Sequence, residues 1–480
     1  MLAIVCGLIL NFIGQSAAQP SGPDDAPDKS RGVTLRAELG EAVIDGSYGL
    51  SIRPPMDWVV ARRREFDGRG TVLLRMIAPV ETPDPPAITV EHLVSARGVS
   101  LPDRMRQAAD AIALEYPDHK MTRDAIAEMD GRPSGTLLVE YRLESRPRFR
   151  MQTLVEIAPR NFLLFRLDVA ASDRPVLEPI YRMVIGSVRL LGTPLSDESL
   201  KAALAAGSEW LAGITGDRLR SSIVPAQFFV FEVAERPVGL LEVYESVCRR
   251  KVGTSRVSGV EIFEQSWMFD SPRLARRMQS SAFLGDDMEI EKWQGSATSW
   301  MAADGDEPEQ FEHGYEEALR DHDVLVSGQS RSFSEAVQQN PAFQVPKTYI
   351  SRALMRLLPR LVKDMKKPRM MAFVSFDHER VGLVVQVFDF KGPATLPGDS
   401  TDRKAYRVEV REGIMAEPTE LYFDDDGKLL LLRSRTLSMR PSDLAELKRL
   451  FERQVAAGDE AIQRMERLYQ QSETRFIRRR

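Results

Sequence analysis

Two stretches in the second half of the chain repeat one pattern of residues. The first is Phe229–Tyr244 (FVFEVAERPVGLLEVY), and the second is Phe373–Phe388 (FVSFDHERVGLVVQVF), with one residue deleted at the position of Pro237. Similarity at such a long spacing indicates that one supersecondary unit is used twice. The sequence therefore predicts a duplicated β-rich domain over 193–472, with halves at about 193–346 and 347–472.

The N-terminal residues have the composition of an export signal. Residues 1–18 carry no charge, run apolar from Leu2 to Ile13 and place small residues at Ser16 and Ala18, as a signal peptidase requires. The apolar run is shorter than the roughly 20 residues of a membrane-spanning helix. We therefore expect a cleaved signal peptide at 1–18, although no Lys or Arg opens it, and a protein exported to the periplasm or the extracellular space.

The two ends of the mature chain lack the large apolar residues that order a segment. Residues 19–32 are rich in Pro, Gly, Ser and Asp, which predicts a disordered leader. Residues 473–480 close on Arg478, Arg479 and Arg480, and we expect a disordered basic tail there.

Composition excludes several classes of protein. After cleavage Cys248 is the remaining cysteine, so we expect no intrachain disulfide, and the 43% hydrophobic content must stabilise the fold by burial. A net charge of −5 with interleaved acids and bases argues against a nucleic-acid binder, which would carry a basic domain or stripe. The chain contains neither a Gly-x-Ser-x-Gly elbow nor a phosphate-binding P-loop, and we expect no cofactor.

Residues 33–192 alternate between strand-like and helix-like periodicity. A few strands precede a helix at Pro102–Tyr116, whose apolar residues recur at three- and four-residue spacing, and a three-strand meander then leads into a last helix at Val176–Val188. This order predicts an α+β domain, an antiparallel sheet with helices on one side.

Both ends of this domain resemble the PsbP-like α+β family. Tyr48–Trp58 (YGLSIRPPMDW) resembles the family's first strand, which leads into Pro-x-x-Trp, and Ile180–Arg189 (IYRMVIGSVR) resembles its final helix. The resemblance implies a small non-catalytic module that binds a partner. It assigns no functional residue, because the matching positions are structural.

The remainder of the chain is similar, in its order of elements, to the LolA-type envelope carriers, which are open half-barrels that hold acyl chains. This analogy rests on an antiparallel sheet with flanking helices and on no residue motif. Residues 285–346 belong to the first half alone, so we expect any specialised function there.

Candidate metal sites have too few ligands. His313 and Glu317 would share one face if Phe311–Asp323 is a helix, but no second ligand cluster accompanies them, so we interpret this segment as a solvated acidic helix. The acidic runs 304–307 and 424–427 lack the remaining oxygen ligands of a calcium loop, and we interpret them as turns. We therefore expect no metal.

A hydrolase with residues from several strands is an alternative that linear motifs would not reveal. Its candidate residues would be His313, His322, His378, Asp377 and Cys248. Neighbouring Arg249, Arg250 and Lys251 would acidify the Cys248 thiol, although a lone cysteine is more often an inert strand residue.

The helix after Thr348 has a continuous cationic face. Its basic residues recur at spacings of three and four and form a possible partner-binding face: Arg352, Arg356, Arg360, Lys363 and Lys367. Such a face suits an anionic membrane surface or an acidic partner. The alternative is that the apolar side of the helix covers a sheet while its charged side chains are solvated. Pro359 then indicates a local kink in the helix.

The last helix, from Ser442 to about Gln470, places apolar residues near a seven-residue repeat. It would form a coiled-coil dimer, or it would pack back onto the sheet, and Gly458 weakens the first alternative.

The leading hypothesis from the sequence is an exported, non-catalytic binding or scaffold protein of the cell envelope. Its β domain would engage an envelope protein or a lipophilic ligand. The alternatives are the hydrolase and a structural oligomer assembled through the last helix.

Overall fold

A computed structural model describes residues 38–477 of the chain, except 46–47, 67–70, 81, 83–84, 95–98, 125–126, 159–160, 193–194, 253–254, 272–273, 303–309, 331–336, 341, 363–365, 378–381, 399–402, 414–415 and 436. The predicted signal peptide, leader and final arginines lie outside these residues. The described residues form two compact units, one up to Ser199 and one from Leu200 to Gly413 and from Pro418 on. None of the described helices has the length and the apolar content to cross a membrane.

The described residues of the first unit form eleven strands, two α-helices and a 3-10 helix at Ala171–Asp173. The strands are β1 (Val43–Asp45), β2 (Leu50–Ile52), β3 (Val59–Phe66), β4 (Thr71–Ile77), β5 (Ala87–Val94), β6 (Lys120–Arg123), β7 (Ala127–Met129), β8 (Arg132–Leu143), β9 (Arg146–Ala158), β10 (Asn161–Ala170) and β11 (Arg189–Leu190). Helix α1 is Leu101–Glu115 and helix α2 is Arg174–Gly186. An 8-stranded sheet has the order β3-β4-β5-β10-β9-β8-β6, with β7 beside β8, and a 3-stranded sheet has the order β1-β2-β11.

The two helices of this unit cover opposite faces of the larger sheet. Helix α1 begins at Ser100, whose hydroxyl accepts from the Asp103 backbone N–H at 3.4 Å, and packs on Leu154 and its neighbours. Helix α2 packs on Phe165 and the residues that share its face. The prediction of helices on one side is therefore wrong for these two helices, because alternate residues of β9 and β10 are apolar on both faces.

The second unit is built around a 15-stranded sheet, in which every pair is antiparallel. Its strands are β12 (Ala226–Val233), β13 (Arg236–Val252), β14 (Ser255–Ser271), β15 (Leu274–Gly285), β16 (Ile290–Met301), β17 (Gln310–Asp321), β18 (Val324–Ser330), β19 (Gln338–Gln339), β20 (Phe343–Gln344), β21 (Arg369–Asp377), β22 (Gly382–Thr395), β23 (Lys404–Glu412), β24 (Thr419–Phe423), β25 (Leu429–Arg433) and β26 (Ser438–Ser442). The order is β19-β18-β17-β16-β15-β14-β13-β12-β26-β25-β24-β23-β22-β21, with β20 beside β18.

Among the described residues, four helices accompany this sheet: α3 (Asp197–Ala212), α4 (Gly216–Ser221), α5 (Arg352–Leu361) and α6 (Leu444–Ile477). Helix α3 approaches the backbone of β21 so closely that a Cβ on Gly207 would lie 2.1 Å from the carbonyl oxygen of Ala372.

Both copies of the repeated pattern form antiparallel hairpins, β12–β13 and β21–β22. The hairpin predicted at Asp424–Gly427 joins β24 to β25, and Gly427 adopts a φ of 75° there. The duplication itself stays a prediction.

The extra material of 285–346 consists, where described, of strands and turns. His313 and Glu317 belong to strand β17, and the helix expected at Phe311–Asp323 is wrong. In this segment Phe311, His313 and Tyr315 occupy every second position, and this period is typical of a strand. The acidic residues between them gave the segment the composition of a solvated helix.

The two faces of the large sheet are covered by different helices. We call inner the face that contacts α5 and carries Glu245 and Glu291, and outer the face that carries Leu240 and Trp267. On the outer face, α6 packs through Leu447, Phe451 and Ile462 in the region of Leu240 and Trp267. The sequence predicts either a coiled coil or packing on the sheet for this helix. These three residues pack on the sheet.

Gly458 allows α6 to approach the sheet. A Cβ at Gly458 would lie 2.5 Å from the Cζ3 atom of Trp267, which is almost fully buried. The next residue of the helix, Asp459, pairs with Arg277 on β15 at 3.2 Å. The glycine is therefore required by close packing against the indole ring, not by backbone conformation.

We expect Gly458→Val to lower the free energy of unfolding by about 2 kcal/mol, because extra atoms at a packed contact force side chains apart. Thermal and urea unfolding followed by circular dichroism measure this change. Ala457→Val is the matched control, since Ala457 is exposed on the same helix and should cost less than about 1 kcal/mol. Equal effects of the two variants would contradict the packing that we describe.

Candidate functional site

The cationic face of α5 points at the sheet. Arg352, Arg356 and Arg360 are spaced four residues apart and so share one side of the helix. The side chains of Arg356 and Arg360 are each 8% exposed. The guanidinium of Arg352 lies 3.7 Å from the centre of the Trp293 ring, as expected of a cation–π contact. The solvated or membrane-facing surface expected from the sequence is therefore not what these three residues form.

The last two residues of the predicted basic face are placed differently. Lys367 is exposed, and Lys363 lies outside the described residues. A partner-binding role of the five residues as a set stays a prediction.

Five carboxylates lie within electrostatic range of these arginines: Glu245, Glu264, Glu291, Glu316 and Asp377. They come from strands β13, β14, β16, β17 and β21. The sheet therefore curves around α5 and presents acidic side chains to its arginine face. A buried cation is tolerated where charges of opposite sign and hydrogen bonds replace its lost hydration.

Arg360 and Glu245 form the best-satisfied pair of this cluster. Arg360 donates to both carboxylate oxygens of Glu245, from Nη1 and Nη2, at 2.7 Å each. The backbone N–H of Val224 donates to the same carboxylate at 2.9 Å and Gln227 Nε2 at 3.0 Å. Since a carboxylate has about four acceptor positions, Glu245 has none left for another donor.

Arg356 is satisfied less well. Its Nε lies 3.8 Å from an oxygen of Glu245 and 3.8 Å from an oxygen of Glu264, which is too long for a hydrogen bond. Both Nε and Nη2 are buried without a hydrogen-bond partner among the described residues. The charge of Arg356 is thus compensated at a distance while two of its donors are left unused.

Glu291 holds the N-terminal end of α5. It accepts from the Tyr349 hydroxyl at 2.9 Å and from the Arg352 backbone N–H at 3.0 Å, while the Ser351 hydroxyl caps the helix by accepting from the Leu354 N–H at 3.0 Å. Complete burial raises the pKa of Glu291, and the hydrogen bonds from Arg352 and Tyr349 oppose that shift without reversing it.

Burial also raises the pKa of Glu316, against the lowering effect of Arg352 and with a further increase from Asp377. Two of the five carboxyl groups therefore keep their protons to a higher pH in the folded protein than in water.

The C-terminal end of α5 is fixed from two directions. Arg218 of α4 donates from Nη2 to the carbonyl oxygen of Leu361 at 2.7 Å, where a cation also interacts favourably with the helix dipole. From the other side, the turn at Gly427 approaches so closely that a Cβ there would lie 2.7 Å from the carbonyl oxygen of Pro359. Pro359 thus lies in a tightly packed last turn.

An apolar cleft lies beside this end of the helix, and we call it the α5 cleft. It has about 530 Å³ of empty space, part of it open to solvent. Its apolar lining residues come from α5 and from β22 to β25: Met355, Leu358, Pro359, Phe388, Phe390, Val408, Leu421, Phe423 and Leu429. The polar residues at its wall are Gln227, Arg356 and Arg360. The cleft is therefore an apolar groove with guanidinium groups along one side.

The residues of the hydrolase alternative contact different neighbours. His313 faces Thr298 at 3.0 Å, and burial followed by Arg277 lowers its pKa. His322 lies at the β17–β18 turn with Glu289, which raises the pKa of its ring. Asp377 is near Arg352, and His378 lies outside the described residues.

The Cys248 thiol is not acidified. Burial and then Glu261 raise its pKa, and the lowering effect of Arg250 does not reverse this. Within the described ranges, no group of three or more His, Cys, Asp or Glu side chains could hold a metal ion; the acidic run 304–307 falls outside those ranges.

The sequence analysis missed the carboxylates that face α5, although their positions contain a signal. Glu245 continues the alternation of Leu241 and Val243, which are both buried, so it had to point to the same face. Glu291 stands in the same relation to Trp293. An acid in phase with core residues predicts a buried ion pair with a distant cation.

Comparison with known proteins gives no family. No family model matches the chain, and no curated protein matches it. Among solved structures, the PsbP protein CyanoP from Synechocystis aligns at 15% identity with a TM-score of 0.26, covering 33% of this chain and 96% of that one. LpqN of Mycobacterium tuberculosis, involved in cell envelope biogenesis, aligns at 18% identity and a TM-score of 0.24, covering 29% and 82%.

A β-barrel-like protein of the domain of unknown function DUF1849 from Brucella abortus aligns with the largest share of the chain among these three. The identity is 12% and the TM-score 0.28, with 45% of this chain and 94% of that chain covered. TM-scores so far below 0.5 add no argument about the function of this chain, which has to come from its own residues.

The pairing of Glu245 with Arg360 should show up as coupling in a double-mutant cycle. We expect Glu245→Leu to destabilise the protein by about 3–5 kcal/mol in urea unfolding, because it leaves a buried guanidinium unpaired. Adding Arg360→Met should recover part of the loss, with a coupling free energy of about 1–3 kcal/mol. Asp426→Asn, at an exposed turn, is the control and should change little. Additive effects of the two substitutions would exclude the pair.

Glu316 should make stability depend on pH. Because its pKa is raised in the folded state above the ordinary 4.5, the native state keeps a proton that the unfolded state loses. The stabilisation is complete below the unfolded pKa and is lost as pH rises through the folded one. The free energy of unfolding of the unmodified protein should therefore fall, relative to Glu316→Gln, as the pH rises above the ordinary pKa of a glutamate.

Urea unfolding across this pH range measures the effect. Glu312→Gln removes an exposed carboxylate from the same strand and controls for the loss of a charge alone. If the free energies of unfolding of the unmodified protein and of Glu316→Gln differ by the same amount at all pH values, Glu316 has the same pKa in the folded and the unfolded state.

Proposed function

We propose that this protein is a non-catalytic binding protein of the cell envelope that holds a lipophilic ligand in the α5 cleft. The observation that supports the proposal is the cleft itself, an apolar groove on the inner face of a curved sheet. Small-molecule sites are mostly apolar concavities with a few polar groups, and the lining of the α5 cleft has this composition.

The side chains that line the cleft favour an extended apolar ligand. Phe388, Phe390 and Leu421 are almost fully buried although they border open space. Each methylene group moved from water into such a groove contributes about 0.8 kcal/mol. A chain of about twelve carbons would thus gain roughly 9 kcal/mol before the cost of association is subtracted.

Placement in the envelope rests on the predicted export signal at 1–18 and stays part of the proposal. The hydrolase alternative has weaker support, because the candidate residues that the structure describes contact different neighbours. The oligomer alternative would need the apolar residues of α6, and several of these pack on Trp267 of the same chain.

Filling the cleft should weaken the binding of an apolar probe. Val408 lies at the cleft wall and is 2% exposed, so Val408→Phe adds volume where the ligand would lie. We expect N-phenylnaphthylamine, a neutral dye that fluoresces in apolar surroundings, to bind the unmodified mature protein and to bind this variant at least about tenfold more weakly. Fluorescence titration measures both affinities.

Val326→Phe is the matched control, since Val326 is 37% exposed on β18 and does not line the cleft. Circular dichroism checks that both variants are folded. Incubation with an envelope lipid extract, followed by native mass spectrometry, identifies retained species. Equal dye affinity in Val408→Phe and Val326→Phe, or no dye binding at all, would overturn the proposal.

A further inference from the structure

Two donor atoms of Arg356 are not used by any described residue. Its Nε and Nη2 are buried without a hydrogen-bond partner among the described residues, and Arg356 is part of the wall of the α5 cleft. A guanidinium can donate five hydrogen bonds in fixed directions and accepts none. Whatever satisfies Arg356 must therefore bring an acceptor.

The protein itself supplies no free acceptor at the nearest carboxylate. Glu245 already accepts four hydrogen bonds, two of them from Arg360. Glu264 lies 3.8 Å from Arg356 Nε, near enough for electrostatic attraction and too far for a hydrogen bond. By contrast, Arg150 in the first unit donates from Nε to Asp168 at 2.7 Å.

The charge balance of the cleft wall decides what kind of acceptor fits. Arg356 and Arg360 carry two positive charges, and Glu245 and Glu264, both within 4.0 Å of Arg356 or Arg360, can carry two negative charges. A ligand carboxylate or phosphate would add a negative charge beside two carboxylates in a poorly hydrated site, which is unfavourable. A neutral carbonyl oxygen would accept from the guanidinium without changing the balance.

We infer that the α5 cleft selects neutral acyl esters of lipids, with the ester carbonyl accepting a hydrogen bond from Arg356 and the acyl chain lying along Phe388, Phe390 and Leu421. This inference rests on the proposed function and specifies its ligand class. A site built to donate to a substrate oxygen discriminates strongly against the analogue that lacks it, because its donor is then left buried and unpaired.

Three ligands with the same twelve-carbon chain separate the alternatives. Monolaurin carries a neutral ester carbonyl, the dodecyl ether of glycerol lacks only that carbonyl, and laurate carries a negative charge instead. Each is titrated below its micelle-forming concentration against the unmodified protein loaded with N-phenylnaphthylamine, and displacement of the dye gives its affinity. We expect monolaurin to bind about tenfold more tightly than the ether and more tightly than laurate.

Arg356→Met tests the assignment to this residue. The ester-over-ether preference should fall to about twofold or less, while the dye still binds. Arg356→Met combined with Glu264→Gln repeats the test with the charge of Glu264 also removed, in case the single variant does not fold. Arg277→Met, on the outer face, is the control and should keep the preference.

The outcomes are distinguishable from failure of the proposed function. If the dye binds but ester and ether bind equally, or laurate binds most tightly, the inference about the acceptor is wrong and the apolar cleft stands. If the preference persists in both Arg356 variants, Arg356 is not the donor. Absence of dye binding overturns the proposed function and this inference with it.

Discussion

The insertion of an arginine-bearing helix against a carboxylate-bearing sheet is the interaction on which the second unit depends. Helix α5 is buried on its apolar sides and faces acids on its charged side, so it has no surface that needs water. The segment before it adds to the edge of the sheet, where the Ile350 N–H donates to the carbonyl oxygen of Val374 at 2.8 Å. The Tyr349 side chain meanwhile reaches Glu291 on β16. One short segment thus ties β21 to strands from the other half of the sheet.

This arrangement explains how a long open sheet is stabilised without a disulfide. The sheet that the described strands form has two faces. Helix α5 packs on the inner face, and helix α6 packs on the outer face. Cys248 is free, so no covalent link contributes. The helices approach through glycines where the contact is closest, at Gly458 against Trp267 and at Gly427 against Pro359. Burial of apolar side chains therefore provides the stability that disulfides provide in many small domains.

The sequence predicts the elements of this fold better than their faces. The repeated pattern at Phe229 and Phe373 correctly predicts β-rich structure, and the periodicity after Thr348 correctly predicts an amphipathic helix, because both signals are local. The environment of Arg356 was not predictable in the same way. Arginines at four-residue spacing look the same on a solvated helix and on a helix facing acids, and the partner acids lie far away in the chain.

The same reasoning explains the error at His313. By composition, the acidic and polar residues of β17 resemble a solvated helix. By position, Phe311, His313 and Tyr315 recur at every second residue, which is the period of a strand. For the site, the decisive information was the phase of Glu245 with its core neighbours and the saturation of its acceptors. The first is readable from the sequence, and the second requires coordinates, because the donors come from Val224, Gln227 and Arg360.

The unused hydrogen-bond donors of Arg356 are harder to explain by a role in stabilising the fold than by a role in binding a ligand. A buried ion pair is weak evidence for stability, since apolar residues of similar volume often stabilise a core equally well or better. A methionine at 356 would pack against Phe229, which the guanidinium now faces at 5.6 Å, and would leave no unused donor. An arginine in this position therefore costs stability unless something completes its hydrogen bonds. In a cleft whose other walls are apolar, a ligand that brings an oxygen on an apolar chain has the shape and the chemistry to do so.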